Sequence, residues 1–443
     1  MDNNTSSSRP DEYLEVIDSR TKAEYILPIR NNAVKGTDIG KIKSPDKLGK
    51  KSATGLKVLD RGFMNTACVE SSITSVDGDL GQIRYRGYDL EYLYNNHDYE
   101  EVMHLLIWGH LPSAEEKEAL RKKLFAELEV PQSVINIIQS FPRQSPTQSM
   151  LIAGLAAYVA CDENMKKHHA QPGGSSLGSI ENTDAAILHT LAVMATTTAL
   201  VYCHKYNRQF SLPDPDTSYV GSLVRMMGKA DGDKKIENYL SRLWMLYADH
   251  EMTNSTAAFL HAASTLTDPL SSTISATVSS YGPLHDGAIE SAYWSFQQIG
   301  FPENVPSFMN DVKRKRQRLF GFGQRIYKTP DPRVKFVRQM IDDITKSAGK
   351  PVPLLDVALE IDNLVSTDEY FVSRKWSANA DLCGALMYTA LGFESDMIIA
   401  MTMVSRASGL LAHWRESMQQ SPIIWRPKQL YREPARPRVP SHL

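Results

Sequence analysis

Along this chain the spacing of apolar residues changes near residue 99. Before it, short apolar runs and two-residue alternation predominate; after it, apolar positions recur three and four residues apart. Alternation over Gly62 to Leu93, around the turn signal Asp77-Gly78-Asp79, predicts a β-hairpin. Val102, Leu105, Leu106 and Leu111, ahead of the charged face Ala114 to Lys123, begin a helical pattern that continues to the C-terminus. Residues 1–54 mix charge, Ser and Gly with brief apolar runs and read as a partly ordered arm with a few strands. The expected class is mainly α with a short N-terminal β-hairpin region.

Three interruptions of the pattern carry further information. Asp162 to Asn182 is rich in Gly, Ser and charge and reads as a surface loop; its His168-His169 pair has no carboxylate or thiol at ligand spacing. Ala185 to Cys203 approaches the length of a membrane span but contains His189, Thr190 and Thr196 to Thr198, so a buried core or interface helix is expected. Arg406 interrupts the apolar helix Met397 to Trp414, and a buried guanidinium requires an anionic partner, either a structural carboxylate or a substrate.

Composition narrows the function classes. With 443 residues, 42% hydrophobic and 23% charged, and a formal net charge of -2, the chain has a sizeable core and no overall bias toward nucleic acid or membrane. Its four cysteines are scattered without a CxxC pair, which indicates neither a zinc site nor a disulfide framework and fits a reducing compartment. The first twenty residues lack the apolar segment of a secretory signal and carry acids that a mitochondrial presequence avoids. The chain ends in Ser441-His442-Leu443, similar to the peroxisomal address SKL, so peroxisomal import is expected, with the cytoplasm as the alternative. No fixed-period repeat, GxGxxG or Walker-type loop is present.

The segment Leu319 to Arg333, LFGFGQRIYKTPDPR, resembles the citrate synthase signature GFGHRVYKTYDPR. Gly62 to Leu93, Ala248 to Asp268, Gly282 to Glu290 and Asn379 to Arg426 extend the resemblance to most of the chain. It implies a citrate synthase fold: an arm at 1–54, a large helical domain at 55–288 and 396–443, and a small helical domain at 289–395, with the active site in the cleft between the two domains. It also implies an acyltransferase that condenses oxaloacetate with an acyl-CoA. Asp381 would abstract the α-proton, His285 would act as a neutral donor to the enol, and position 324 would polarise the keto group. His250, Arg333, Arg406 and Arg426 would bind oxaloacetate, Arg426 from the neighbouring subunit of a homodimer. Lys328, Lys375 and Arg314, the last within the basic run Lys313 to Arg316, would attract the CoA phosphates. Acyl-CoA enters as a co-substrate; no metal or permanently bound cofactor is implied.

Departures from the family pattern qualify these expectations. Gln324 stands where the family has histidine, keeping an N–H donor but no deliverable proton. Asp286-Gly287-Ala288-Ile289 replaces the family's GGAN after His285, and Leu382-Cys383-Gly384 replaces a bulky Phe-Tyr-Ser after Asp381. A smaller wall would leave room for a longer acyl chain, and four extra buried methylenes would be worth roughly 3 kcal/mol. The expected product is therefore a 2-alkylcitrate, as in the alkylcitrate synthases of fungal secondary metabolism. The alternatives are a citrate or 2-methylcitrate synthase, and a non-catalytic paralogue that binds CoA or a partner.

Overall fold

The computed structural model describes residues 10–43, 55–162, 180–229, 234–323, 326–348 and 353–432. The chain divides into two units, Met1–Glu70 and Ser71–Leu443. The first holds an antiparallel sheet of β1 (Tyr13–Ile17), β2 (Glu24–Arg30) and β3 (Ala33–Val34), in that order. Alternating apolar residues of β2 drive the pairing, which sets Leu14 opposite Leu27 and Val16 opposite Tyr25.

The second unit opens with the hairpin that the Asp77-Gly78-Asp79 turn predicts. β4 (Thr74–Asp77) pairs with β5 (Gln82–Tyr85) and β5 with β6 (Tyr88–Asp89). Asp77 makes the turn by accepting the backbone N–H groups of Asp79 and Leu80. The inward side chains, Ile73, Ile83 and Tyr85, are buried, and Tyr85 Oη donates to the carbonyls of Met245 and Asp249.

Thereafter the unit is helical, and its boundaries follow capping chemistry. α1 (Tyr99–Trp108) begins with a reciprocal box between Asp98 and Glu101, and α2 (Ala114–Ala126) with one between Ser113 and Glu116. α3 (Thr147–Cys161) packs on α4 (Ile180–Tyr206) where Gly154 faces Thr197 so closely that a Cβ there would press on the Thr197 methyl. α4 is long and apolar enough to cross a membrane, yet 89% of its apolar window is buried inside the protein. Its Thr190 and Thr196 hydroxyls donate to carbonyls one turn back, which lets polar residues sit in the core.

The remaining helices used below are α5 (Lys234–Tyr247), α6 (Asn254–Ala263), α7 (Pro269–Ser280), α8 (Gly287–Ile299), α9 (Pro353–Thr367), α10 (Ala380–Ala390) and α11 (Ile398–Met418). α11 is buried without a break from Ile398 to Trp414 and packs against α1 and α4 to α8. A helix apolar on all sides is stable only inside a core. Any charged group on it is thereby placed at the centre of the unit. Trp244 and Trp414 are among the largest fully buried side chains, and the Trp244 indole donates to Tyr388 Oη at 3.1 Å.

Candidate active site

The glycine-rich signature is fastened to the start of α10 by backbone. Phe322 bridges Ala378, Gly323 donates to the Ser377 carbonyl at 2.9 Å, and Asn379 donates to Gly321 at 3.0 Å. Gly321 has φ +80°, and a Cβ on it would lie 3.0 Å from Leu382 Cα, so only glycine permits this approach. Asn379 then caps α10 by accepting the N–H of Asp381 at 3.0 Å, while its side-chain amide donates to Gly323 at 3.2 Å. The signature loop thus fixes the start of α10 and with it the backbone of Asp381. Gln324 lies outside the described residues, one position past Gly323.

A second helix start lies beside the first. Asp286 is the N-cap residue of α8, and Ile289, one turn on, approaches Gly384, one turn beyond Asp381. Gly287 is required for this tight entry, since a Cβ would lie 2.6 Å from the Tyr281 carbonyl oxygen. His285, just before α8, reaches α6: its Nε2 accepts the Ser255 backbone N–H at 3.1 Å and lies 2.8 Å from Ser255 Oγ. A backbone N–H can only donate, so Nε2 carries no proton and the neutral ring has its hydrogen on Nδ1. Burial lowers the pKa of His285 and Arg406 adds to this, against an opposing pull from Asp286. The helix terminus therefore yields a neutral imidazole with a directed Nδ1–H.

Asp381 is held differently from an ordinary carboxylate. Burial first, and the negative charge of Asp286 second, raise its pKa to about 7, against the cations Arg333 and Arg406. Such a group changes protonation state near neutrality, as a general base must.

The cationic side of the site comes from α11 and the end of the signature. Arg406 is only 4% exposed, and among the described residues its Nε and Nη1 have no hydrogen-bond partner. Arg333 is also buried and makes a two-pronged bond to Asp331, Nε to Oδ1 at 3.0 Å and Nη2 to Oδ2 at 2.7 Å. His250 Nε2 lies 2.8 Å from Tyr327 Oη. Burial, then Arg333 and Arg406, push the His250 pKa down to about 3, so the ring is neutral beside two cations. One satisfied arginine, one unsatisfied arginine and a neutral histidine form an anion site with surplus positive charge.

Comparison with known proteins places this geometry. Residues 62–428 match the family model described as citrate synthase, C-terminal domain. The chain belongs to the citrate synthase family. A citrate synthase-like protein of Phoma sp. is 41% identical, with 95% of this chain and 90% of that protein covered. An alkylcitrate synthase of Talaromyces stipitatus is 37% identical over 95% of this chain and 94% of its own length. The structure of citrate synthase from the archaeon Thermoplasma acidophilum, a ternary complex with carboxymethyl coenzyme A and oxaloacetate, superposes with a TM-score of 0.79 at 28% identity. That superposition covers 87% of this chain and 99% of the other.

Within this citrate synthase family member, the charge of Arg406 acts on His250, His285 and Asp381, and that of Arg333 on His250 and Asp381. Arg426 is exposed in the extended segment after α11, and no described contact joins it to this cluster. Lys328 is exposed and pairs with Asp79 of the hairpin turn at 2.6 Å, while its N–H donates to Gly78 at 2.8 Å. Arg314 and Lys375 are exposed, whereas Lys313 of the same basic run pairs with Asp368.

The expectation of a smaller wall after Asp381 is corrected at two positions. Leu382 is buried against Gly321, and the volume opened by Gly384 is occupied by the hydroxyl of Tyr247, with which a Cβ would collide. Sequence reasoning also missed Ser255, Tyr327 and Asp331, which hold His285, His250 and Arg333. Asp331, two residues before Arg333, offered a signal by charge and spacing; the other two are joined to their histidines only by the fold.

Proposed function

We propose that this enzyme condenses an acyl-CoA, of medium or long chain, with oxaloacetate and water to give a 2-alkylcitrate and free CoA. Arg406 carries the reading: a buried guanidinium with unpartnered N–H groups, beside Arg333 and a neutral His250, fits a dicarboxylic oxoacid. Asp381 takes the α-proton of the thioester while the Nδ1–H of His285 donates to the thioester oxygen as it becomes an enol. The enol carbon then bonds to the keto carbon of oxaloacetate as the carbonyl π bond breaks; the oxygen, polarised by Gln324, takes a proton from water to become the hydroxyl, and the α-proton held by Asp381 returns to solvent. Water next attacks the thioester, the carbon–sulfur bond breaks, and the sulfur leaves with a proton as CoA.

In this reading Lys328, Lys375 and Arg314 attract the CoA phosphates. Arg426 reaches the oxoacid of a second copy, making the enzyme a homodimer. The cleft lies between a large domain of residues 55–288 and 396–443 and a small domain of 289–395, closing on substrate. The Ser441-His442-Leu443 ending, outside the described residues, addresses the enzyme to the peroxisome; a chain without it should stay in the cytoplasm by fluorescence microscopy. Chain length is supported by the likeness to an alkylcitrate synthase and not by Gly384.

The test is CoA release from the purified protein with oxaloacetate and acyl-CoAs from acetyl to dodecanoyl, with products identified by mass. The expected maximum lies beyond propionyl, with alkylcitrate formed. Turnover confined to acetyl- or propionyl-CoA would make it a citrate or 2-methylcitrate synthase. No release at any length would mark a paralogue that only binds.

A further inference from the structure

Asp286 is a buried acid that the condensation chemistry does not use. It is 7% exposed, its Oδ1 lies 3.5 Å from His285 Nδ1, and among the described residues its Oδ2 has no hydrogen-bond partner. Neighbouring side chains leave it in the company of the two groups that act on the thioester. His285 precedes it in sequence, and Asp381 stands at the start of α10, against which α8 packs through Ile289 and Gly384. A carboxylate left half-satisfied in a core is costly unless its charge has a use.

We propose that Asp286 is a positioning residue for the condensation, orienting the Nδ1–H of His285 and setting a second carboxylate near that of Asp381 across the α8–α10 contact. The proposal rests on the reading of the site as an acyl-CoA and oxaloacetate condensing centre. With Nε2 of His285 fixed by Ser255, Nδ1–H is the ring's one free donor, and it faces a carboxylate until a thioester oxygen takes its place. On Asp381 the like charge acts through space, making the carboxylate a stronger base toward carbon once it is ionised.

The other groups around Asp286 divide by element. α10 brings Asp381 and Tyr388, and α11 brings Arg406. Arg333 and Asp331 act on Asp381 from the signature. α9 meets the core through Leu355, Val357, Ala358, Ile361 and Val365. The turn Ser395–Met397 carries Asp396, which is paired with Lys205 at 2.9 Å. On α8 itself the nearest acid is Glu290, whose carboxyl burial raises and Trp294 steadies by a hydrogen bond.

The experiment compares wild type, Asp286→Asn and Asp286→Glu by the pH profiles of kcat and kcat/KM with oxaloacetate and the best acyl-CoA. In Asp286→Asn the acid limb should move down by about one pH unit and the plateau kcat fall about three- to tenfold. KM for oxaloacetate should stay within about twofold, and Asp286→Glu should restore most of the limb. An acid limb that stays in place in Asp286→Asn would overturn the proposal, as would a loss carried by oxaloacetate KM alone. Should Asp286→Asn fail to fold, Asp286→Gly, with the residue the family carries there, is read the same way. Carboxyl ¹³C NMR of aspartate-labelled protein, with the Asp381 signal assigned from Asp381→Asn, needs no turnover. Its midpoint should drop by about one unit in Asp286→Asn, and an unchanged midpoint refutes the proposal even if wild type releases no CoA, a result that would instead defeat the reading of function.

Discussion

Asp249 and Asp381 are two acids of one core with opposite fates. Asp249 is fully buried against α11 and Asp381 half-buried at the start of α10, and both feel Arg406. Burial disfavours the charge on Asp249, but His413 outweighs it: the ring nitrogen lies 3.2 Å from Oδ2, and the pKa of Asp249 falls below its usual value. Among the described residues Asp381 has no such partner, and with Asp286 nearby burial prevails and its pKa rises to about 7. Depth alone therefore does not decide whether a buried acid serves the fold or the chemistry. The partner decides it. Arg406 and His413 stand two turns apart on the same helix, one with N–H groups unpartnered and the other closed in an ion pair.

The strongest way to break the contrast is Asp381→Asn. Loss of the general base should lower kcat by about 10²–10⁴, measured by CoA release. Stability should move the other way. With its pKa raised in the native state, wild-type Asp381 binds more protons folded than unfolded between about pH 4 and pH 7, so wild-type stability declines as pH rises through that window. The asparagine variant escapes this loss. Its advantage over wild type in urea unfolding should be small at pH 4, grow through pH 7, and level off at roughly 4 kcal/mol.

His413→Ala should give the opposite result, a loss of about 3–5 kcal/mol, because Asp249 is left buried and unpaired. The sign of the pH dependence follows from the two shifts. Burial opposes protonation of His413 but Asp249 outweighs it, so its contribution is complete below the unfolded histidine value and disappears as pH rises through the raised one. The contribution of Asp249 is present above the unfolded aspartate value and disappears as pH falls through the lowered one. The deficit of the variant should thus be greatest between about pH 4 and pH 6.5. A deficit that does not vary with pH would show that His413 acts only by packing.

These acids also mark what the sequence could reveal. Arg406 was legible by itself, as a charge in an apolar run; the signature loop, His285 and Asp381 were legible only through the likeness of their flanking residues to a family, since alone they read as a glycine turn, a helix-start histidine and a loop acid. The hairpin was legible from Asp77-Gly78-Asp79, and α2 from its charged face Ala114 to Lys123. Asp249 with His413, and Ser255 with His285, join residues far apart in the chain, and no local period encodes them. The expected extra room beside Asp381 failed for the same reason. Deleting a side chain opens space only if no neighbour enters it, and Tyr247 belongs to a helix more than one hundred residues away.

That neighbour makes the last comparison a measurable one. Tyr247 fills the space at Gly384 with its hydroxyl, and its ring lies under the Arg333 guanidinium at 5.8 Å. Gly384→Ala must push a rigid, buried ring rather than a flexible chain end, at a cost of about 1–3 kcal/mol. Because the ring lies against Arg333, the displacement should reach the anion side and raise KM for oxaloacetate more than KM for acyl-CoA. Removing the colliding atom in the double variant Gly384→Ala/Tyr247→Phe should recover part of both losses, a coupling of about 0.5–1 kcal/mol in the double-mutant cycle. If the two substitutions are merely additive, the wall behind Asp381 and the arginine clamp are independent, and the two sides of the site are tuned separately.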